Sequence, residues 1–165
     1  MVLPSVASDK TGLSVYTLGA GDTIRVTVFG EEDLSLETIL NDAGSLSYPF
    51  LGELAIKGLT VSQLERLITS GLKGPYLIDP RVSVSIIEYR QFYVNGEVEE
   101  PGGFSFQPGM TLRKAVSLAG GFSERASKSK FFIISDDDPS MAPRSSKLEA
   151  AISPGDIIII EQSFF

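Results

Sequence analysis

The sequence predicts an α+β protein made of two small modules that pack against each other. Three observations lead to this prediction. Short apolar stretches with period-2 alternation recur along the 165 residues and are separated by turns rich in Gly and Pro. Two other stretches place their apolar residues on one helical face, and they follow Thr60 and Thr111, residues suited to cap a helix. The hydrophobic fraction of 42% is typical of a folded chain.

The first module is predicted over residues 16–90, after a flexible arm formed by residues 1–15. Apolar and polar residues alternate at 23–28, which is typical of a half-buried strand, and a Gly-Asp turn at 19–22 leads into it. These glycines have neither the GxGxxG pattern nor a Walker lysine, so we favour a plain turn over a phosphate site.

A turn sequence, NDAG at 41–44, predicts a hairpin between strands at 38–40 and 45–48. The hairpin ends at Pro49, which has no N–H to donate to a strand ladder. A further short strand is predicted at 51–56.

A capped helix comes next. Thr60 occupies the N-cap position and Gln63 the N3 position, the arrangement of a capping box. The helix is predicted to end at Gly71 or Gly74. Its predicted buried face consists of Val61, Leu64, Leu67 and Ile68.

Alternation of apolar residues with serine predicts a strand at 81–89. Ile87 breaks this alternation, which indicates either a bulge or burial on both faces near the end of the strand. We place the boundary between the modules near Arg90.

The second module is predicted over residues 91–165, and its centre is a strand–strand–helix unit. Strands at 92–94 and 103–106 are followed by a helix that Thr111 caps and Gly120 ends. This order predicts a β-grasp-like fold. The apolar helix face consists of Leu112, Ala115, Val116 and Ala119.

The remainder of the second module is predicted to be a basic polar loop followed by strands. The loop covers 123–130, and the strands are predicted at 131–134, at 146–149 and, as a short buried strand, at 157–161.

The composition excludes several classes of function. A formal net charge of −7 and an isoelectric point near 4.6 disfavour nucleic acid as a partner. The absence of cysteine and histidine excludes disulfide scaffolds, thiolate zinc sites, cysteine nucleophiles and triads with a histidine base. No apolar run approaches the ~20 residues that span a bilayer.

Two acidic stretches lack the pattern of a catalytic or metal site. The aspartates at 136–138 do not have the alternating spacing of an EF-hand loop, so we predict a solvated loop there. Glu97 and Glu99 lie beside a Pro-Gly turn, which does not supply the cleft that paired glycosidase carboxylates need. We predict no enzymatic activity and no cofactor.

Arg125, Lys128 and Lys130 form the only local basic cluster in the sequence. They could meet an acidic polymer or an acidic face of a neighbouring subunit, and a solvated loop is the alternative. Together with Glu97 and Glu99, they are the candidate residues for polymer or subunit contact.

Several motifs, in order, resemble a known family. YTLGAGDTIRVTVFGE at 16–31, GSLSYPFLGE at 44–53, GLT at 58–60 and DPRV at 79–82 resemble the polysaccharide biosynthesis/export domain of bacterial outer-membrane polysaccharide export proteins. FYVNGEV at 92–98, PG at 101–102, PGMTL at 108–112 and AGGF at 119–122 resemble the soluble-ligand-binding β-grasp domain that follows it in such proteins.

The resemblance implies a mixed-sheet polysaccharide-export domain at 16–90 and a β-grasp (ubiquitin-like) domain at 91–165. It also implies a non-catalytic periplasmic protein, associated with the outer membrane, that forms a homo-oligomeric ring as a conduit for capsule or exopolysaccharide. The implied partners are the polysaccharide and an inner-membrane polysaccharide copolymerase/tyrosine autokinase.

The sequence departs from this family pattern in two respects. It has no signal peptide or lipid-anchor cysteine, and it has no C-terminal amphipathic helix. We therefore expect a separate outer-membrane partner. The alternative function is a monomeric periplasmic module that binds a glycan, and a glycan hydrolase ranks far below both.

Overall fold

The computed structural model describes residues 16–164, and the arm predicted at 1–15 lies outside them. The chain divides into two compact units, the first ending at Glu88 and the second beginning at Tyr89. Each unit has a hydrophobic core of its own.

Within residues 16–88, the first unit contains two separate antiparallel sheets and one α-helix. Its elements are β1 (Thr23–Val28), a 3-10 turn (Glu32–Leu34), β2 (Leu36–Ile39), β3 (Ser45–Tyr48), β4 (Gly52–Ala55), α1 (Val61–Leu72) and β5 (Val82–Glu88). Strands β2, β1 and β5 form one sheet in that order, and β3 pairs only with β4. Ile24, Val26 and Val28 point into the core, as their alternation predicts.

The hairpin predicted across residues 41–44 is wrong, although the turn itself is present, with Gly44 in the left-handed region at φ 67°. The two strands that the turn joins have different partners: β2 pairs with β1, and β3 pairs with β4. Before the turn, the Leu40 N–H donates to the Asp22 carbonyl at 2.9 Å. After it, the Gly44 carbonyl accepts from the Ile56 N–H at 3.1 Å. Turn residues set the local bend, but tertiary packing selects the partner of each strand.

Helix α1 begins as predicted. The Thr60 hydroxyl accepts from the Gln63 N–H, and the Gln63 side chain accepts from the Thr60 N–H, which completes the capping box. The helix continues to Leu72, so Gly71 lies inside it. A methyl group at Gly71 would come within 2.7 Å of the Leu51 side chain, and the close approach of this chain explains a glycine inside the helix.

The buried face of α1 differs from the predicted one. It consists of Leu64, Ile68 and Leu72. Leu67 is 40% exposed, so its assignment to the core is wrong. The Glu65 side chain accepts from the Val84 N–H of β5 at 2.9 Å, which shows that the side of the helix beside Glu65 faces the sheet. Leu67 lies on the other side of the helical wheel.

The irregularity predicted at Ile87 is a bulge. Thr23 pairs with Glu88 while Ile24 pairs with Ile86, so Ile87 is the extra residue in β5. Ile87 is 43% exposed, which excludes the alternative of burial on both faces.

The second unit is a five-stranded mixed sheet with one helix. Its elements are β6 (Phe92–Gly96), β7 (Gly102–Phe104), α2 (Leu112–Leu118), β8 (Ala126–Ile134), β9 (Arg144–Ser146) and β10 (Ile157–Gln162). The strand order is β7-β6-β10-β8-β9, and β10 runs parallel to β6 while the other pairs are antiparallel. A first hairpin, a helix and a last strand inserted parallel to the first confirm the β-grasp prediction. The mixed sheet therefore lies in this unit, whereas the sheets of the first unit are antiparallel.

The predicted helix of the second unit is confirmed in detail. All four residues of its predicted apolar face are buried, and the Thr111 hydroxyl accepts from the Lys114 N–H at 3.3 Å. Gly120 follows the helix at φ 82°. Propensity, capping and packing thus agree along this stretch.

Two predictions in the second unit are wrong in their boundaries. The basic segment at 123–130 is a loop only in its first part, because β8 already begins at Ala126 and includes the strand predicted at 131–134. The first half of this strand was not predicted because residues 128–130 are all exposed, which interrupts the alternation typical of a strand. Strand β9 precedes the predicted position, since the Ala150 N–H donates to the Lys147 carbonyl in a turn.

Candidate functional site

The predicted basic cluster borders a groove between the start of β8 and the end of β10. Lys128 and Lys130 line this groove, which has a volume of about 390 Å³ and is called the basic groove below. Phe164, which is 79% exposed, also lines the groove, and the Lys130 ammonium is 5.5 Å from the centre of its ring. At this distance the ammonium interacts with the ring face, so the groove presents a cation beside an aromatic surface.

Arg125 reaches the same end of the unit through its backbone. Its carbonyl accepts from the Ser163 N–H at 2.7 Å, and its side chain is exposed. In the part of the chain that the structure describes, none of Arg125, Lys128 and Lys130 forms an ion pair. Three cations without carboxylate partners are thus concentrated on an otherwise acidic chain.

The two candidate glutamates lie in the loop between β6 and β7. The Glu97 carboxylate accepts from the Ser123 hydroxyl at 2.8 Å, and its carbonyl accepts from the Ser123 N–H at 3.1 Å. Glu97 therefore ties its loop to the segment that leads into β8. The Glu99 N–H donates to the Gly121 carbonyl at 3.0 Å, while its side chain is exposed.

The aromatic residues of the second unit mostly serve the core. Tyr89 and Phe106 meet edge to face at 5.3 Å, and Phe92 and Phe104 lie 6.0 Å apart. Tyr93, at 45%, and Phe164, at 79%, are exposed instead. Tyr89, Phe92, Phe104 and Phe106 therefore have a packing role.

A second, larger groove, called the β7/α2 groove below, was not predicted from the sequence. Its volume is about 510 Å³. It is lined by Phe104, Ser105, Gln107, Met110, Arg113, Lys114, Ser117 and Leu118. The signal in the sequence was Leu118, which lies outside the apolar face of its helix and is 49% exposed.

The acidic segment that begins at Asp136 has a structural role. Asp136 pairs with Arg90 at 3.0 Å, and its N–H donates to the buried Asp156 carboxylate at 3.3 Å. Among the described residues, no group of three or more acidic side chains could hold a metal ion. No helix between residues 16 and 164 is long and apolar enough to span a bilayer.

Comparison with known proteins identifies both units. Residues 12–87 match the polysaccharide biosynthesis/export protein family, and residues 91–144 match the SLBB domain. The exopolysaccharide production protein ExoF of Rhizobium meliloti (strain 1021) is 34% identical over 130 residues, which are 70% of this chain and 30% of that protein. The polysialic acid transport protein KpsD of Escherichia coli is 30% identical over 108 residues, which are 64% of this chain and 19% of that protein.

This chain spans less than a third of the length of each of these relatives. The two domains occur in the order that the motifs predicted, and their family comprises export and transport proteins rather than enzymes. The chain belongs to the polysaccharide biosynthesis/export protein family.

Proposed function

We propose that this protein is a non-catalytic component of a capsule or exopolysaccharide export machine and forms an oligomeric conduit for the polymer in the periplasm, at the outer membrane. The observation that supports it is the succession of a polysaccharide biosynthesis/export domain and an SLBB domain over residues 12–144. The names of the relatives, which refer to exopolysaccharide production and polysialic acid transport, agree with this role.

In this proposal the basic groove is a contact site for an anionic polysaccharide. The Lys128 and Lys130 ammonium groups would pair with carboxylates of the polymer, because no protein carboxylate pairs with them among the described residues. The exposed ring of Phe164 would cover the apolar face of a sugar ring. Glu97 is assigned no part in this contact, since its carboxylate is bonded to Ser123.

Two protein partners are proposed. They are an inner-membrane polysaccharide copolymerase/tyrosine autokinase, and a separate outer-membrane protein that would complete the route of the polymer. The chain itself would supply a periplasmic part of the conduit.

Polymer contact is tested by titrating the protein with alginate, an anionic glycan, and with neutral dextran at low salt. The Lys128→Ala/Lys130→Ala variant should bind alginate about ten-fold more weakly, which corresponds to ~1.4 kcal/mol. Lys73→Ala/Lys147→Ala removes the same charge at exposed positions outside the groove and should bind as the wild type does. Equal weakening by both double variants would show that net charge, rather than this groove, determines binding.

The conduit is tested by sedimentation and by electron microscopy with and without membranes. A concentration-dependent closed assembly is expected. A monomer that persists at millimolar concentration and still binds alginate would favour the alternative, a monomeric glycan-binding module, to which the basic groove is equally suited.

A further inference from the structure

The β7/α2 groove combines an apolar floor with a basic rim. Among its apolar lining residues, Met110 is 8% exposed, Phe104 is half-buried and Leu118 is 49% exposed. The volume of about 510 Å³ is larger than a single aromatic side chain. Filling an apolar concavity of this kind with an apolar group of another molecule is favourable, because apolar surface is removed from water.

Two adjacent cations form the rim of the groove. Arg113 pairs with Glu149 at 3.0 Å, but both side chains are more than 60% exposed, so water weakens this pair and the arginine can exchange its partner. The Lys114 ammonium donates to the Gly109 carbonyl at 3.2 Å, and no carboxylate pairs with it within residues 16–164. The groove therefore suits an aromatic or aliphatic group that carries carboxylates beside it.

The first unit presents a segment with this chemistry at the end of β1. The Phe29 side chain is 67% exposed and is followed by Gly30, Glu31, Glu32 and Asp33. Among residues 16–164, no other exposed aromatic residue has three carboxylates within four positions.

Backbone hydrogen bonds hold this segment in place. The Phe29 N–H donates to the Arg81 carbonyl at 3.0 Å, and the Glu31 N–H donates to the Val28 carbonyl at 3.0 Å. A 3-10 turn follows directly and displays Glu32 and Asp33 on the surface. An ordered segment loses little conformational entropy when it binds, which favours it as a docking element.

We propose that Phe29 of one copy docks into the β7/α2 groove of a second copy. Glu32 and Asp33 of the first copy then pair with Lys114 and Arg113 of the second. The inference deepens the proposed conduit and depends on its being an oligomer. The segment and the groove are different surfaces, so the contact is heterologous. Each copy can insert its segment into one neighbour and receive the segment of another in its own groove. Repetition of such a contact closes into a ring when the rotation permits it.

Sedimentation of two complementary variants tests this contact. Phe29→Ala removes the docking ring, and Leu118→Glu places a charge in the groove at an exposed position that the fold tolerates. Each variant alone is expected to be monomeric at concentrations where the wild type assembles. A 1:1 mixture should form dimers and nothing larger, because one intact segment and one intact groove remain per pair.

Charge exchange provides a second test. Lys114→Glu should weaken assembly by about ten-fold or more, and Lys114→Glu/Glu32→Lys should recover most of this loss. Phe50→Ala is the matched control, because Phe50 is an equally exposed aromatic residue, at 68%, outside the segment. Circular dichroism and thermal unfolding verify that every variant is folded.

Each remaining outcome decides between the two proposals. If the wild type assembles and Phe29→Ala and Leu118→Glu assemble equally well, the docking contact is wrong and the conduit stands. Variants that are monomeric alone and fail to form dimers when mixed also overturn the docking contact. If Leu118→Glu assembles normally but loses glycan binding, the groove is a ligand site rather than an interface. A wild type that remains monomeric at millimolar concentration contradicts the conduit, and the docking contact with it.

Discussion

Arg90 and Asp136, 46 residues apart in the sequence, form an ion pair at 3.0 Å in which the arginine side chain is only 13% exposed. Arg90 precedes β6, and Asp136 follows β8. The Asp136 N–H also donates to the buried Asp156 carboxylate. One end of the sheet in the second unit is thus held together by charged groups, and the first aspartate of a loop predicted to be solvated has a structural role.

Gly155 permits this ion pair. It lies at φ 85°, and an added methyl group would come within 2.7 Å of the Asp136 carboxylate and 2.9 Å of the Arg90 guanidinium. We expect Gly155→Ala to lower the free energy of unfolding by about 2–4 kcal/mol, because left-handed strain adds to steric overlap. Urea denaturation measures this change.

Gly121→Ala is the control for this experiment. Gly121 lies at φ 93° in the same unit, with no heavy atom within 4 Å of the added methyl group. The Gly121→Ala variant therefore has the backbone strain without the steric overlap, and we expect it to lower the free energy of unfolding by about 1 kcal/mol. Equal losses for the two variants would show that the overlap at Gly155 is relieved without cost.

Asp156 should make the stability of the second unit depend on pH. Burial raises the pKa of its carboxyl above the ordinary value of 3.8, against the opposing effect of the Ser153 and Asp136 N–H donors. Between 3.8 and the folded-state pKa, the folded protein retains a proton that the unfolded chain has released. The contribution of this group to the free energy of unfolding is therefore complete below 3.8 and is lost as the pH rises through the folded pKa.

The measurement is urea unfolding of the wild type and of Asp156→Asn from about pH 3 to 7. The difference in free energy of unfolding, wild type minus variant, should fall as the pH rises. A carbon-13 NMR titration of the Asp156 carboxyl follows the same group directly. A midpoint at or below 3.8 would contradict the prediction.

The capping box of α1 should contribute measurably to the stability of the first unit. Thr60→Ala removes the hydroxyl that accepts from the Gln63 N–H at 3.2 Å. We expect a loss of about 1 kcal/mol in the free energy of unfolding. Thr60→Ser retains the oxygen and should recover most of it. If serine and alanine are equally destabilising, the loss comes from the methyl group rather than from the cap.

Leu64 and Leu67 should respond differently to truncation, although the sequence predicts both in the core. Leu64 is completely buried and Leu67 is 40% exposed. Leu64→Ala should cost about 2–5 kcal/mol in thermal or urea unfolding. Leu67→Ala should lower the free energy of unfolding by about 1 kcal/mol or less, because the leucine side chain is already partly exposed to water in the folded protein. Comparable losses would mean that Leu67 is buried in solution.

The sequence predicted correctly those features that depend on residues within one element. The caps at Thr60 and Thr111, the Gly-Asp turns before β1 and β10, and the complete apolar face of α2 were all predictable. The bulge at Ile87 was also visible as a break in alternation. The caps and turns depend on hydrogen bonds or side chains within a few residues, which a sequence displays directly.

The candidate site was predictable only in part. The cluster of Lys128 and Lys130 could be recognised as a local run of charge, but its groove could not, because Phe164 comes from the distant segment that follows β10. The β7/α2 groove was missed for the same reason: its two walls belong to separate elements, and only the exposed Leu118 indicated it.

The sequence by itself determined most of the elements of this protein, the caps of its two helices, the order of its two domains and its family. Only the tertiary structure decided that β2 pairs with β1 instead of β3, that Leu67 faces away from the core, and that Asp136 binds Arg90. The physical reason is one of range. Turn and cap energies depend on neighbouring residues, whereas strand partners, grooves and ion pairs depend on which distant surfaces bury each other when the core closes.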